Sequence, residues 1–569
     1  MLKYDVLVIG SGGAGMQAAL VAAKSGELNV ALMTKVFPTR SATCCAQGGT
    51  NAALRNVDKS DSIEKHAFDT IKGSDFLADQ DAVEFFVSLL PETILELDYF
   101  GVPFSRLEDG TIAQRPFGGQ SHPRTCYSAD KIGAVVLHTL YEQCLKNQVN
   151  ILTEWFLLDL VVENEQIIGV VAMNMKTGDI HPILAKAVVL ATGGAGRVYW
   201  NRTTNPFAST GDGMAAAFRV GVALKDPEFV QFHPTGLAGT GILMSEACRG
   251  EGGYLLNNKG ERFMQRYAPE KMELATRDLV SQAIETEIKE GRGFGEGINA
   301  YVLLDLRHLG REKILERLPQ IRELAIQFEG IDPIEQPIPV RPSCHYSMGG
   351  IDVIDYKTCA TVVKGLYAAG ECSCISIHGA NRLGGNSTAE AVAFGKVAGK
   401  AAAEYAQNVG FSSEKKVSEC AKKWENEYNI AVSRTNGPSV ASIRSRLAET
   451  MWLNVGVFRK EKEMLQAAKD VDALIEEYKY CVVGDKNRIY NTAFTQYIEL
   501  GNMLTVAKAI VIGALNRRES RGSHKREDYP QRDDKNYLKH TIITLEGSEY
   551  KLSYRPVVIT KYQPAERRY

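Results

Sequence analysis

Tyr4-Asp5-Val6-Leu7-Val8-Ile9-Gly10-Ser11-Gly12-Gly13-Ala14-Gly15 is the stretch that decides the fold. Tyr4 to Ile9 has the length and apolar character of a buried strand, and the next six residues read G-x-G-x-x-G. Small residues (Ala18, Ala19, Ala22, Ala23) then suit a closely packed helix ending near Gly26, and Asn29 to Met33 reads as a second strand. A glycine turn between a strand and a helix lets backbone N–H groups approach a pyrophosphate, where the helix dipole favours anions. In this context the turn, with Gly10, Gly12, Gly13, Ala14 and Gly15, predicts a dinucleotide site.

The second strand ends in Thr34-Lys35, where an acid for the ribose hydroxyls would ordinarily stand. A hydroxyl and a cation are expected to hold ribose and phosphate instead. Two distant segments repeat the strand–glycine pattern: Ala187 to Leu190 running through Thr192 into Gly193-Gly194, and Gly365 to Ala369 running into Gly370-Glu371. Strands so far apart that both end in glycine predict one sheet converging on a large cofactor, FAD rather than NAD alone. The segment from about Phe229 to Cys344 is then an insertion.

Beyond Gly399 the periodicity becomes helical. Amphipathic helices are expected over Lys415 to Ile430, Ser442 to Trp452, Glu461 to Tyr480 and Ala493 to Arg518. A charged stretch follows Ser520, and then two strand-like runs, His540 to Leu545 and Tyr550 to Thr560. Taken alone, the charge run Arg517 to Arg526 reads as a solvated face. The expected fold is α/β: a Rossmann-like FAD-binding domain (1–228 and 345–405), an inserted α+β capping domain (229–344), a helical domain (406–516) and a small C-terminal domain (517–569).

With 66 basic and 68 acidic residues the formal charge is −2, without the basic excess of a general nucleic-acid binder. The 11 cysteines are scattered singly except for Cys44-Cys45 and Cys372-Ser373-Cys374. No C-x-x-C repeat offers a zinc or iron–sulfur ligand set, so no metal site is expected. No apolar run reaches the ~18 residues of a bilayer span, Val506 to Leu515 being interrupted by Lys508. No targeting peptide is visible before the first strand. The expectation is a cytoplasmic chain.

Further motifs carry a resemblance over essentially the whole length. They are Phe37-Pro38-Thr39-Arg40-Ser41, Ala46-Gln47-Gly48-Gly49, Gln114-Arg115-Pro116-Phe117-Gly118-Gly119, Gln231-Phe232-His233-Pro234-Thr235, Cys248-Arg249-Gly250-Glu251-Gly252-Gly253, His345-Tyr346-Ser347-Met348-Gly349-Gly350 and His378-Gly379-Ala380-Asn381-Arg382-Leu383-Gly384. Near the end, Glu519 to His524 and Arg532-Asp533-Asp534 join them. Together they resemble the flavoprotein subunit of the succinate dehydrogenase/fumarate reductase family.

The resemblance implies a C4 dicarboxylate substrate held by His233, Ser245 (where Thr is usual), His345 and Arg382, with Phe117 beside it. It implies hydride transfer to or from flavin N5, with Arg277 carrying the proton, fed through Glu246 and Arg249. Read without it, Arg277 and Asp278 are a surface ion pair. It places FAD against the glycine turn and against Thr34, Lys35, Ser41, Thr43, Gln47, Gly48, Gly49, Thr192, Gly193, Asp212, Glu371, Ser387 and Thr388. It also implies an iron–sulfur subunit, membrane anchor or quinone-reactive subunits beyond it, and a place on the inner face of the cell membrane. L-aspartate oxidase is the nearest alternative; the charged segment Glu519 to Asp534 and the long helical part stand against it.

One departure matters. Relatives that oxidise succinate usually carry, directly after the Ser of Thr-Arg-Ser, a His bonded to the flavin 8α carbon; here Ala42 follows Ser41. The expectation is FAD bound without a covalent link, a thioether from Cys44 or Cys45 being the other route. Losing the 8α bond lowers the flavin potential, and for a two-electron couple about 30 mV is a factor of ten. That favours fumarate reduction over succinate oxidation.

Overall fold

The computed structural model describes residues 1–567. Leu2–Ile9 is a strand whose inner residues are almost wholly buried, and it sits at the middle of a seven-stranded sheet. Val30–Thr34 lies parallel to it on one side (Val6 opposite Val30), and Asp179–Leu190 on the other (Leu7 opposite Val188). Asn150–Thr153 continues the sheet beyond Val30–Thr34. Buried on both faces, these strands are continuous apolar runs rather than alternating ones, as parallel sheets require. Gly13–Lys24 is the crossover helix, and Asn386–Asn408 packs against it. Gly395 and Gly399 allow that approach: a Cβ on either would meet the backbone of Ala14 or Ala18 within 2.4 Å.

The two distant strand–glycine segments do join one sheet. Leu366–Ala368 lies parallel to the end of Asp179–Leu190, with Tyr367 opposite Val189. Strand ends at Ile9, Leu190 and Ala368 therefore open on the same edge, and the turns that follow them are neighbours. Trp155–Glu163 and Gln166–Asn174 complete the sheet as an antiparallel pair.

A second sheet, in the order Val230–Leu237, Ile338–Ser347, Val302–Asp305, Tyr254–Leu256, is built from the expected insertion, with Ile338–Ser347 running on past the expected boundary at Cys344. It has its own apolar core, including Leu237, Met244, Phe263, Ile284, Leu304 and Val340. The helices Glu414–Ser433, Val440–Val455, Glu461–Tyr478 and Thr492–Asn516 follow. Their buried residues, among them Val417, Leu447, Leu474 and Leu504, belong to the same core as the first sheet.

Three features go beyond the sequence reading. Thr492–Asn516 is long and apolar enough, by length and composition, to cross a membrane, although no uninterrupted apolar run suggested it; 67% of its most apolar window is buried inside the molecule. Its Glu499 and Lys508 form ion pairs with Lys35 and Asp472. The C-terminal hairpin, Lys539–Glu546 with Glu549–Pro556, extends a sheet through Leu224–Lys225 and Gly350–Asp352, so its strands are completed by distant parts of the chain. The third concerns the charge run, which is no solvated face. Arg517, Glu519, Arg521 and Arg526 are each at most 1% exposed. Arg517 pairs with Glu228 and Glu519, Arg521 with Glu519 and Asp534, and Arg526 with Asp528. Charges so placed must be paired inside the protein because water cannot reach them.

Candidate functional site

One continuous cavity runs from the glycine turn to the second sheet. At its first end Gly10 has φ +108°, and a Cβ there would stand 2.1 Å from the Ala191 carbonyl oxygen. Gly15 does not line the cavity; a Cβ on it would sit 1.7 Å from the Gly10 oxygen, so its part is close helix–strand packing. Gly10, Gly12, Gly13 and Ala14 all line the wall. Thr43 braces the turn, its Oγ1 accepting from the Gly13 N–H at 3.0 Å.

Thr34 and Lys35 both line the cavity, and their polar groups also engage other residues of the chain. Thr34 Oγ1 lies 2.9 Å from Ser11 Oγ and donates to the Val36 carbonyl. Lys35 Nζ donates to Thr210 Oγ1 at 2.8 Å, Asp212 Oδ2 at 2.6 Å and Glu499 Oε1 at 2.7 Å. Its three protons are committed to these partners, so the ammonium orders this part of the cavity wall. Asp212, at the head of the helix Asp212–Arg219, also accepts from Asn502 at 2.9 Å.

Along the middle lie Ser41, Ala42, Thr43, Gln47, Gly48, Gly49, Thr192, Gly193, Glu371, Ser387 and Thr388. Ser41 Oγ, Gln47 Oε1 and Thr192 Oγ1 are buried without a partner among the described residues. Buried polar atoms are nearly always satisfied, so these three, around a glycine cradle, fit a polar cofactor such as FAD. Glu371 Oε1 accepts from the Ser347 N–H at 3.0 Å, and desolvation pushes its carboxyl up to about 7.

Basic and imidazole groups gather at the far end. Arg277, first residue of the helix Arg277–Lys289, donates from Nε to Glu246 Oε2 at 2.6 Å and from Nη1 to Gln231 Oε1 at 3.2 Å. Arg382 reaches the same Gln231 oxygen from Nη2 at 3.2 Å, donates to Ser387 Oγ at 3.1 Å, and lies 4.4 Å from the Tyr346 ring centre. Burial, followed by the charge of Arg277, lowers the Arg382 guanidinium to about 9. Glu246 also accepts from the Gly118 N–H at 2.6 Å. Burial alone would raise its carboxyl, but Arg277 and Arg249 hold it below the ordinary value.

His233 Nδ1 accepts from the Thr235 N–H at 3.2 Å, which puts the ring proton on Nε2, buried and unpartnered. His345 Nδ1 lies 2.6 Å from Thr204 Oγ1, and the two imidazole centres are 5.0 Å apart. Burial, then the charge of Arg277, depresses both imidazoles well below their ordinary value, so both rings are neutral. Ser245 caps the short helix Glu246–Gly250, accepting from the Ala247 N–H at 3.1 Å, so its hydroxyl proton is free to donate elsewhere. Phe117 packs on Gly48, where a Cβ would meet Phe117 Cζ at 2.4 Å.

Nearly every residue anticipated from sequence thus lines one cavity. Besides Gly15 the exception is Arg249, which stands behind the wall, with Nη2 3.8 Å from Glu246 and Nη1 donating to the Glu273 carbonyl at 2.6 Å. Arg277 and Asp278 are no surface pair; both are buried, and Asp278 pairs with Arg567 at 2.6 Å. Sequence reasoning missed Gln231, Thr204 and Glu499. Gln231 lies two residues before His233 on one strand, on the same face, and that spacing was the available signal. Thr204 and Glu499 carry none, because only the fold brings them to His345 and Lys35.

A glycine-turn cavity with polar walls, closed by guanidinium and imidazole groups, defines a FAD-dependent oxidoreductase, and comparison with known proteins agrees. The FAD binding domain family matches residues 5–388, and the fumarate reductase flavoprotein C-terminal family matches residues 444–569. The 8-methylmenaquinol:fumarate reductase flavoprotein subunit of Wolinella succinogenes is 50% identical, over 99% of this chain and 92% of that one. The succinate dehydrogenase flavoprotein subunit of Rickettsia bellii is 46% identical, over 98% of this chain and 96% of its own. A mutant FrdA of E. coli quinol fumarate reductase superposes with a TM-score of 0.96 at 43% identity, covering 100% of this chain and 99% of that one. The chain belongs to the succinate dehydrogenase/fumarate reductase flavoprotein-subunit family.

Proposed function

We propose that this chain interconverts succinate and fumarate, with fumarate reduction the favoured direction, as the flavoprotein subunit of a quinone-linked complex. The observation that carries this reading is the far end of the cavity. Arg277 and, from behind the wall, Arg249 share the single carboxylate of Glu246, while Arg382 is held by the neutral Gln231 and Ser387, which leaves the excess positive charge that a dicarboxylate dianion needs. Stripping water from such a dianion costs several kcal/mol per charge unless fixed partners replace it.

Bound FAD supplies the two-electron hydride chemistry at one carbon of the substrate. The chain's own residues do the rest. Arg382 grips one carboxylate with its planar fork, while the His233 Nε2–H, His345 and the Ser245 hydroxyl donate to the remaining oxygens. Phe117 covers the apolar middle of the substrate and excludes water. Fixed positive charge at the carboxylates draws electron density from the double bond, and charge developing in the transition state meets groups already in place.

Arg277 delivers the proton to the carbon adjacent to the one that takes the hydride. Arg ordinarily stays protonated, so its loss is matched by a proton arriving through Glu246 from Arg249, and a neutral guanidinium does not accumulate. In succinate oxidation the same protons run outward.

FAD is held without a covalent link, since Ala42 lines the cavity where an attaching His would stand. Two electrons must then leave or enter through a partner. The relatives are named as subunits of quinol- and menaquinol-linked reductases, which supports an iron–sulfur subunit at this chain, quinone-reactive membrane subunits beyond it, and a peripheral position on the inner face of the membrane.

Titrating the FAD-loaded protein with malonate or oxaloacetate, both unreactive dicarboxylates here, tests the reading. The visible flavin spectrum should shift saturably. A spectrum that stays unchanged at saturating dose overturns the proposal.

A further inference from the structure

Eight of the eleven cysteines are buried; Cys44, Cys45 and Cys420 are partly exposed. Cys420 stands alone, and burial raises its thiol to about 11. Cys44 and Cys45 stand together on the 3₁₀ turn Ala42–Cys45, with their sulfurs 3.9 Å apart. Cys45 lines the cofactor cavity. Arg40 acts electrostatically on Cys44 and Arg197 on Cys45, each favouring the thiolate. The sulfur–sulfur hydrogen bond, opposed by burial and aided by Arg40, lowers the Cys44 thiol below its ordinary value, which favours the thiolate, the nucleophilic form.

We propose that Cys44 and Cys45 are a peroxide-reactive dithiol beside the cofactor that closes to a disulfide between neighbouring residues. The Cys44 thiolate attacks one oxygen of hydrogen peroxide: an S–O bond forms, the O–O bond breaks, and hydroxide leaves to be protonated to water. Cys45 sulfur then attacks the sulfenic sulfur: the S–S bond forms, the S–O bond breaks, and the departing hydroxide takes the Cys45 proton as a second water. Two thiols and one peroxide give one disulfide and two waters, with both electrons coming from the sulfurs.

Closure has a consequence for the cavity. A disulfide spans about 2.05 Å, so the sulfurs must approach by roughly 2 Å on a turn with little slack. Gly133 holds the turn from behind: its N–H donates to the Ala46 carbonyl at 2.8 Å, and a Cβ on it would stand 1.9 Å from the Thr43 oxygen. Thr43 Oγ1 in turn holds the Gly13 N–H of the glycine turn. Closing the dithiol draws Thr43 off Gly13 and loosens the hold on FAD.

Both thiols fall in one tryptic peptide, Ser41 to Arg55. After stoichiometric peroxide on the FAD-loaded protein, mass mapping should show that peptide lighter by two hydrogens and resistant to alkylation until dithiothreitol is added. Cys44→Ser should abolish that product. Oxidised protein should lose FAD on gel filtration several-fold faster than the peroxide-treated Cys44→Ser variant. Free alkylation of both thiols after peroxide, or sulfinic acid on Cys44 with Cys45 left reduced, overturns the dithiol; equal rates of FAD loss overturn its effect on the cofactor. None of these readouts needs a dicarboxylate, so a protein that ignores malonate yet closes the dithiol would sink the proposed reaction and leave this inference standing.

Discussion

Arg277 gives its Nε to Glu246 at 2.6 Å and its Nη1 to Gln231, so Nη2 is the guanidinium nitrogen without a hydrogen bond among the described residues. The side chain is fixed by two neighbours and faces the cavity with one N–H-bearing group. Arg277→Lys retains a positive charge but loses the Glu246–Gln231 fork. Fumarate reduction with a reduced dye should fall about 10²–10⁴-fold, the usual contribution of a positioned proton donor. Malonate should still perturb the flavin spectrum, with affinity reduced several-fold at most. Turnover within a factor of two of the parent would remove Arg277 from the proton route.

His540 lies between two carboxylates, Asp226 at 2.6 Å and Asp79 at 3.1 Å. Desolvation lowers its pKa, but the two carboxylates outweigh that and raise it to about 9 from 6.5. A raised histidine contributes stability that is complete below the unfolded value and is lost as pH rises through the folded one. Each pH unit separating the folded from the unfolded pKa is worth ~1.4 kcal/mol. His540→Asn should therefore destabilise the chain by roughly 3 kcal/mol near pH 6, and by much less at pH 10. Urea unfolding of both proteins from pH 6 to 10 measures the difference. A gap that does not narrow across the window would show that His540 is not the charged centre of this triad.

The sheet was legible from the sequence because its signals are local. An apolar run followed by a glycine turn marks Leu2–Ile9 without any knowledge of partners, and the same pattern at Leu190 and Ala368 marked strands that pair in space. The charge run Arg517 to Arg526 was illegible for the opposite reason. Its character is set by Glu228 and Asp534, the first nearly 300 positions away. Lys35 is a similar case: its chemistry looks cationic until Glu499 and Asp212 are placed beside it. Thr492–Asn516 was underestimated because uninterrupted apolar length was counted, whereas its two charged residues are neutralised by ion pairs at its flanks.

Glu519 is buried between Arg517 Nη1 at 3.0 Å and Arg521 Nε at 2.8 Å. Glu519→Ala leaves two buried guanidiniums short of a counter-charge, a change that typically costs about 3–5 kcal/mol. Thermal unfolding should show a marked loss of Tm. The double variant Glu519→Leu with Arg521→Met, which removes charge from both sides, should recover much of it. A single variant as stable as the parent would mean that Asp534 and Glu228 suffice for both arginines.

Ala42 lines the cavity between Ser41 and Thr43, and a methyl side chain offers no atom that can bond the flavin ring. Of the described residues around the cavity, His233 and His345 are the imidazoles, both at the far end and engaged with Thr235 and Thr204. Cys45 is the one thiol on the wall, and its proton is held more tightly than that of Cys44, chiefly through the shared hydrogen bond and then by burial. This set supports the non-covalent binding proposed above. Trichloroacetic acid precipitation of the FAD-loaded protein should leave the yellow colour in the supernatant and a pellet without flavin fluorescence. Ala42→His places an imidazole on the turn, and a yellow pellet from that variant alone would show that one side chain separates the two modes of binding. A fluorescent pellet from the parent protein would instead point to Cys45, and Cys45→Ser would then release the flavin.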